Sequence, residues 1–142
     1  MSPIGNLHEL CDHIHSPQMV APSGAAGITV TSNVAAWTLG NFSNDIIAAN
    51  AVALPFDIHW IVVSGESVNA DYELVLYYGA ADTECGRLTF ARTNLLLGSH
   101  SMPMQTIIIP RNSRLRAKIM DSVGGSAAIV KVLYHTYDAI TY

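Results

Sequence analysis

Along this chain, apolar and polar residues alternate over short stretches, and a helical spacing is almost absent after residue 27. In Arg114-Leu115-Arg116-Ala117-Lys118-Ile119 the alternation is strict. A strand there carries its cations on one face and its apolar side chains on the other. From Ile129 to His135 the alternation is looser, as in a strand with both faces partly covered. Further β-like runs are read at 27–32, 35–42, 45–49, 55–65, 71–80, 86–93, 104–110, 113–122 and 127–138. Between them lie turn residues: Ser64-Gly65-Glu66, Gly79 with Asp82, Pro110-Arg111-Asn112 and Gly124-Gly125-Ser126. Strands at roughly ten-residue spacing with turns between them predict an all-β antiparallel β-sandwich. The strand number, about eight, favours a jelly roll of two four-stranded sheets.

The N-terminal segment follows another pattern. Read as a helix, IGNLHELCDHIH places Ile4, Leu7, Cys11 and Ile14 on one apolar stripe with Leu10 beside them. The Pro-, Gly- and Ser-rich stretch at 16–27 then reads as a loop or extended arm. The predicted organisation is an amphipathic helix and arm over 1–26 and a β-sandwich domain over 27–142.

That segment also concentrates metal-ligating side chains: His8, Glu9, Cys11, Asp12, His13 and His15. On a helix, His8 with Asp12 and Glu9 with His13 are i,i+4 neighbours, which is ordinary pairing on a wet face. A structural zinc site needs four rigidly held ligands and a catalytic one three with an open position. A short terminal helix beside an arm is a poor frame for either, so no metal and no other cofactor is expected.

Charge adds a second asymmetry. Only 13% of residues are charged, and the formal net charge is −4. A typical charged share is about 25%, so either much of the chain is in the core or part of its surface is covered by partners. All seven Lys and Arg fall at or after Arg87, so residues 1–86 carry nine acidic and no basic groups. One explanation is pairing of acidic with basic strands inside the chain. The other is a self-complementary surface between copies. The basic residues are dispersed and the chain is net acidic, which argues against nucleic acid as a partner.

No constellation of catalytic residues stands out. His59 reads as a half-buried strand residue, His100 sits in a loop with Ser99 and Ser101, and His135 lies between aromatics in the last strand. There is no GxSxG elbow and no phosphate-binding glycine loop. Trp60 reads as buried, and Trp37 as a surface or interface residue. The first sixteen residues lack the basic start and apolar core of a signal peptide, and no run of about 18 apolar residues could span a bilayer. The expectation is a soluble protein that is not an enzyme and has no membrane or small-molecule partner.

One resemblance sharpens this. Residues 55–138 contain YELVLYYG, then IPRNSRLRAK, a small-residue turn and VKVLYHTY. In that order they resemble a family of small jelly-roll cement, or decoration, proteins of tailed bacteriophages. The resemblance implies a non-enzymatic virion structural protein on the outside of the capsid, bridging and stabilising major capsid subunits. It also implies no catalytic residues. Such a protein is made in the host cytoplasm, has the major capsid protein as its partner, and is expected to associate with itself as a homodimer or homotrimer. From amphipathicity and charge position, the candidate contact residues are Ile4, Leu7, Leu10 and Ile14 on the arm, and Arg111, Arg114, Arg116 and Lys118 on the basic strand. The alternative is a tail or receptor-binding β-sandwich module that recognises a cell-surface glycan.

Overall fold

The computed structural model describes residues 16–94 and 98–138. The predicted N-terminal helix lies outside them, with Ile4, Leu7, Leu10 and Ile14. Eight strands are formed: β1 (Met19–Ala21), β2 (Ile28–Thr31), β3 (Phe56–Ser64), β4 (Ala70–Tyr78), β5 (Thr83–Arg92), β6 (His100–Pro103), β7 (Leu115–Asp121) and β8 (Ala127–Thr136). No helix occurs among the described residues.

Every strand pair is antiparallel, in two sheets. One runs β1-β8-β3-β6, with β2 also on β8; the other runs β5-β4-β7. β1 lies opposite Val132, Leu133 and Tyr134, and β2 opposite Ala127 to Val130, so the two share one lane beside β8. The smaller sheet gains a lane from residues 37–47. The amides of Trp37, Gly40, Ser43 and Ile46 donate to the carbonyls of Asp121, Ile119, Ala117 and Leu115 along β7. With lanes numbered in chain order, the sheets read 1-8-3-6 and 2-7-4-5. This is the jelly-roll order, and the predicted sandwich is present.

The runs at 35–42 and 45–49, predicted as strands, are therefore the irregular second lane. Regular pairing is interrupted where that lane crosses β2: a Cβ on Gly40 would lie 1.9 Å from the Thr31 carbonyl oxygen. The run at 104–110, also predicted as a strand, continues β6 along β3 irregularly. Met104 and Thr106 donate to the carbonyls of His59 and Ile58, and Ile109 exchanges two bonds with Phe56. Conversely, β1 falls in the stretch read as a loop or arm, so residues 19–21 are part of the larger sheet. Three residues are too few for alternation to be visible.

The core lies between the sheets. Ile58, Ile61 and Val63 of β3, Leu74 and Leu76 of β4, Leu115 and Ile119 of β7, and Val130 and Val132 of β8 are wholly buried. Full burial of one such side chain contributes about 1.5–3 kcal/mol. In β7 the predicted alternation holds residue by residue, from buried Leu115 to buried Asp121. In β3 it breaks once: Ile58 pairs with Tyr134 and Trp60 with Leu133, leaving His59 as an extra residue in a bulge. Ile58 and Ile61 both turn inward as a result, and Trp60, expected to be buried, is 39% exposed.

Candidate functional site

The four predicted basic contact residues do not form one free patch. Arg111 is exposed in the turn before β7, where Asn112 takes a positive φ of 64°. Arg114 and Arg116 converge on Asp82: Arg114 Nη2 lies 3.2 Å from Oδ2, and Arg116 Nε donates to Oδ1 at 2.7 Å. The hydrogen bond from Arg116 holds the Asp82 carboxyl below the usual carboxylate range against the opposing pull of desolvation, with Arg114 adding to it. The Arg116 guanidinium also sits 3.8 Å above the Phe42 ring, with Lys118 Nζ at 4.2 Å from the same ring.

Next to this group, Arg87 on β5 binds Glu73 of β4 at 2.6 Å and Glu84 at 2.8 Å. Arg87 thus meets an early acid across neighbouring strands at Glu73, while its pair with Glu84 lies within β5 and Arg114 and Arg116 reach the acid of the β4–β5 turn. These ion pairs order the outer face of the smaller sheet.

A second polar group sits on the larger sheet, at the bulge in β3. Asp57 is buried. Its Oδ2 accepts from the Tyr137 hydroxyl at 2.8 Å and from Gln105 Nε2 at 2.9 Å, and its Oδ1 lies 2.9 Å from His59 Nε2. The His59 and His135 rings meet edge to face at 4.4 Å, and His135 Nδ1 donates to the Ser16 carbonyl at 2.8 Å. At the far end of β3, buried Glu66 is 3.1 Å from His100 Nε2. Asp57 Oδ1, His59 Nε2, Glu66 Oε1 and His100 Nε2 have no hydrogen bond beyond these contacts.

The sequence reading placed His59 and His135 in strands, and the fold brings them together. It missed Asp57, Gln105 and Tyr137, which join them from 48 and 80 residues apart. The register that sets Asp57 opposite His135 is a product of the fold, and the sequence carried no signal for it.

Chemically, the cluster holds protons in place. Burial, then the hydrogen bond to Asp57, pushes the Tyr137 hydroxyl up to about 12, so it serves as a donor and not as a nucleophile. Burial pushes the Cys85 thiol up to about 12 as well, which leaves it in the inert thiol form. Among the described residues, no three His, Cys, Asp or Glu side chains converge as a metal site would require.

Several apolar side chains face solvent, Val34 and Val123 among them, and two features stand out by their backbone setting. Ile107 and Ile108 are adjacent and 57% and 58% exposed, whereas Ile109 is buried. Strand neighbours normally point to opposite faces. Here the chain is pinned to β3 at Thr106 and Ile109, and both intervening side chains protrude. The other feature is Trp37, half exposed with φ of 54°. A bulky residue in the left-handed region costs about 1–3 kcal/mol. The backbone enforces it: the Trp37 amide donates to the Asp121 carbonyl at 2.7 Å.

No family model matches the chain, and no curated protein does. Among solved structures it is similar to one of infectious bursal disease virus, Gx strain, at 19% identity over 89% of this chain and 35% of that one, with a TM-score of 0.43. It is also similar to a mutant VP2 protein of infectious bursal disease virus from derived T=1 particles, at 16% identity over 86% and 32%, with a TM-score of 0.36. A third similarity is to the CBM22-1–GH10 modules of Clostridium thermocellum endo-1,4-beta-D-xylanase 10B complexed with xylohexaose, at 11% identity over 89% and 26%, with a TM-score of 0.38. The chain spans between a quarter and about a third of these chains. At such scores the likenesses carry no functional argument.

Proposed function

We propose that the protein is a non-enzymatic virion structural protein that binds the outside of a capsid and bridges its major capsid subunits. The observation that carries this reading is the protruding Ile107-Ile108 pair, with exposed Arg111 close by in sequence, on the edge lane of the larger sheet. An exposed apolar edge invites pairing with another chain unless something covers it. Apolar residues flanked by an arginine match the make-up of protein interfaces. Support also comes from the sequence resemblance over 55–138 and from the jelly-roll lane order.

The energetics suit a repeated lattice. Covering what remains exposed of two isoleucines contributes on the order of 2 kcal/mol, too little for tight binding of a single pair of surfaces. A protein touching two or more capsid subunits at once multiplies such weak contacts through effective concentration. Binding that favours the assembled shell stabilises it by mass action. Self-association as a dimer or trimer would add further contacts of this kind.

The experiment is a binding assay of the full chain on emptied capsids, with copy number counted in purified virions. The double variant I107E/I108E is expected to stay folded and to lose capsid binding at least about tenfold. Hundreds of copies on the head support the reading. A handful at the tail tip, or unchanged capsid binding by the double variant, overturns it.

A further inference from the structure

The smaller sheet carries an open groove of about 430 Å³, lined by Trp37, Asp71, Tyr72, Thr89, Phe90 and Ala91. Tyr72 is buried, and its ring stacks on Phe90 at 5.0 Å with 4° between the planes, so both pack on the sandwich core. The exposed aromatic wall is therefore Trp37. Asp71 and Thr89, both exposed, supply a carboxylate and a hydroxyl on adjacent strands.

Trp37 is disfavoured twice by the fold that holds it. Its backbone is in a conformation that suits glycine, and about half of its surface faces water. Neither feature helps the core. Strain of this kind persists where the surroundings over-determine it, as the bond from the Trp37 amide to Asp121 does here, and it clusters at ligand sites.

The geometry points to a binding groove for a neutral saccharide. A sugar ring presents a C–H face that stacks on an indole, and its hydroxyls donate to a carboxylate and exchange hydrogen bonds with a threonine hydroxyl. The one charged side chain in the lining, Asp71, accepts hydrogen bonds from vicinal hydroxyls and repels anions. Nucleotides, nucleic acid and acidic glycans are thereby disfavoured. The groove lies on a different sheet from Ile107 and Ile108, so its occupation is independent of the capsid contact proposed above.

The test uses the full chain in a W60F background, where Trp37 is the one remaining tryptophan. Its fluorescence is titrated with maltohexaose, mannohexaose and chitohexaose, and with a heparin hexasaccharide as the anionic control. At least one neutral oligosaccharide is expected to give a saturable change, and the heparin fragment none. W37G tests the strain argument, because glycine accepts this backbone without penalty. Followed by amide chemical shifts, W37G is expected to weaken saccharide binding at least about tenfold while its Tm holds or rises. D71N, which keeps the groove's shape, is expected to weaken binding severalfold. The proposal is overturned if no neutral oligosaccharide perturbs Trp37 up to about 10 mM. It is equally overturned if the heparin fragment binds as well as the neutral sugars, or if W37G and D71N bind like the parent chain. Either failure leaves the capsid-binding assay unaffected.

Discussion

Asp121 and Asp57 are both buried carboxylates, yet the chain satisfies them in different ways. Asp121 ends β7 and collects most of its donors locally: the amides of Val123 and Gly124 on Oδ1, and the Ser126 hydroxyl on Oδ2 at 2.6 Å, with Ser32, just after β2, as the distant addition. Asp57 has His59 in its own strand and collects its other partners from distant segments, Gln105 beside β6 and Tyr137 just beyond β8. The first arrangement belongs mainly to one turn, to which the fold adds Ser32. The second exists once the larger sheet is assembled, and one of its partners, the Tyr137 hydroxyl, is titratable.

Removing Asp121 should have the largest effect. D121A leaves two amides and a hydroxyl without their acceptor around a carboxylate that is itself wholly buried. Each orphaned group costs about 1–3 kcal/mol, so a loss of about 3 kcal/mol or more is expected in urea unfolding. D57N keeps the shape and removes the charge facing His59, and should cost less, about 1–2 kcal/mol. A D57N variant as unstable as D121A would erase the distinction between the two sites.

The two sites should also fail at opposite ends of the pH scale. Burial pushes the Asp121 carboxyl upward, but the hydrogen bonds from Ser126, Ser32 and the two amides outweigh it and lower its pKa below 3.8. The unfolded chain then takes up this proton first, so the stabilisation is present above about 3.8 and lost as pH falls through the depressed folded value. The acid limb of stability against pH should flatten in D121N. Tyr137 behaves in the opposite sense, raised from 10.0 to about 12 in the folded chain. Its contribution is complete below pH 10 and declines as pH rises toward 12, a decline that Y137F should remove. The smallest effect is expected at Arg111, exposed in its turn, where R111A should change stability by less than about 0.5 kcal/mol.

Much of the fold was legible in the sequence because alternation survives where a strand has one face on the core. β7 is the clearest case and β8 a looser one, while β3, β4 and β5 are legible as β-like runs bounded by turn residues. β1 and β6 are too short to show a period. Residues 37–47 and 104–109 follow neighbouring strands without a regular ladder, so periodicity could place them and not define them. The bulge at His59 shifts the phase of β3, which is why Trp60 was assigned to the wrong side. Of the candidate contacts, Arg111 is exposed as a contact residue must be, whereas Arg114 and Arg116 are engaged by Asp82, an acid 32 and 34 residues earlier. The Asp57 cluster and the groove at Trp37 were invisible for the same reason: each gathers residues from several lanes, and sequence spacing does not encode which lanes adjoin.

The position of β8 governs when this molecule can act. β1 and β2 pair with β8 and with no other strand, and β3 uses it along almost its whole length. Ile28 therefore waits for Val130 to leave the ribosome, and until then β1 and β2 have no partner strand and β3 is paired on its β6 side alone. Contacts of such sequence separation form slowly, because loop closure precedes any gain from burial. The edge lane bearing Ile107 and Ile108 is anchored to β3, so it too becomes presentable once β8 is in place. Readiness to engage another surface is thus timed by synthesis of β8, and a nascent chain stalled before residue 127 exposes apolar edges without a finished face to offer.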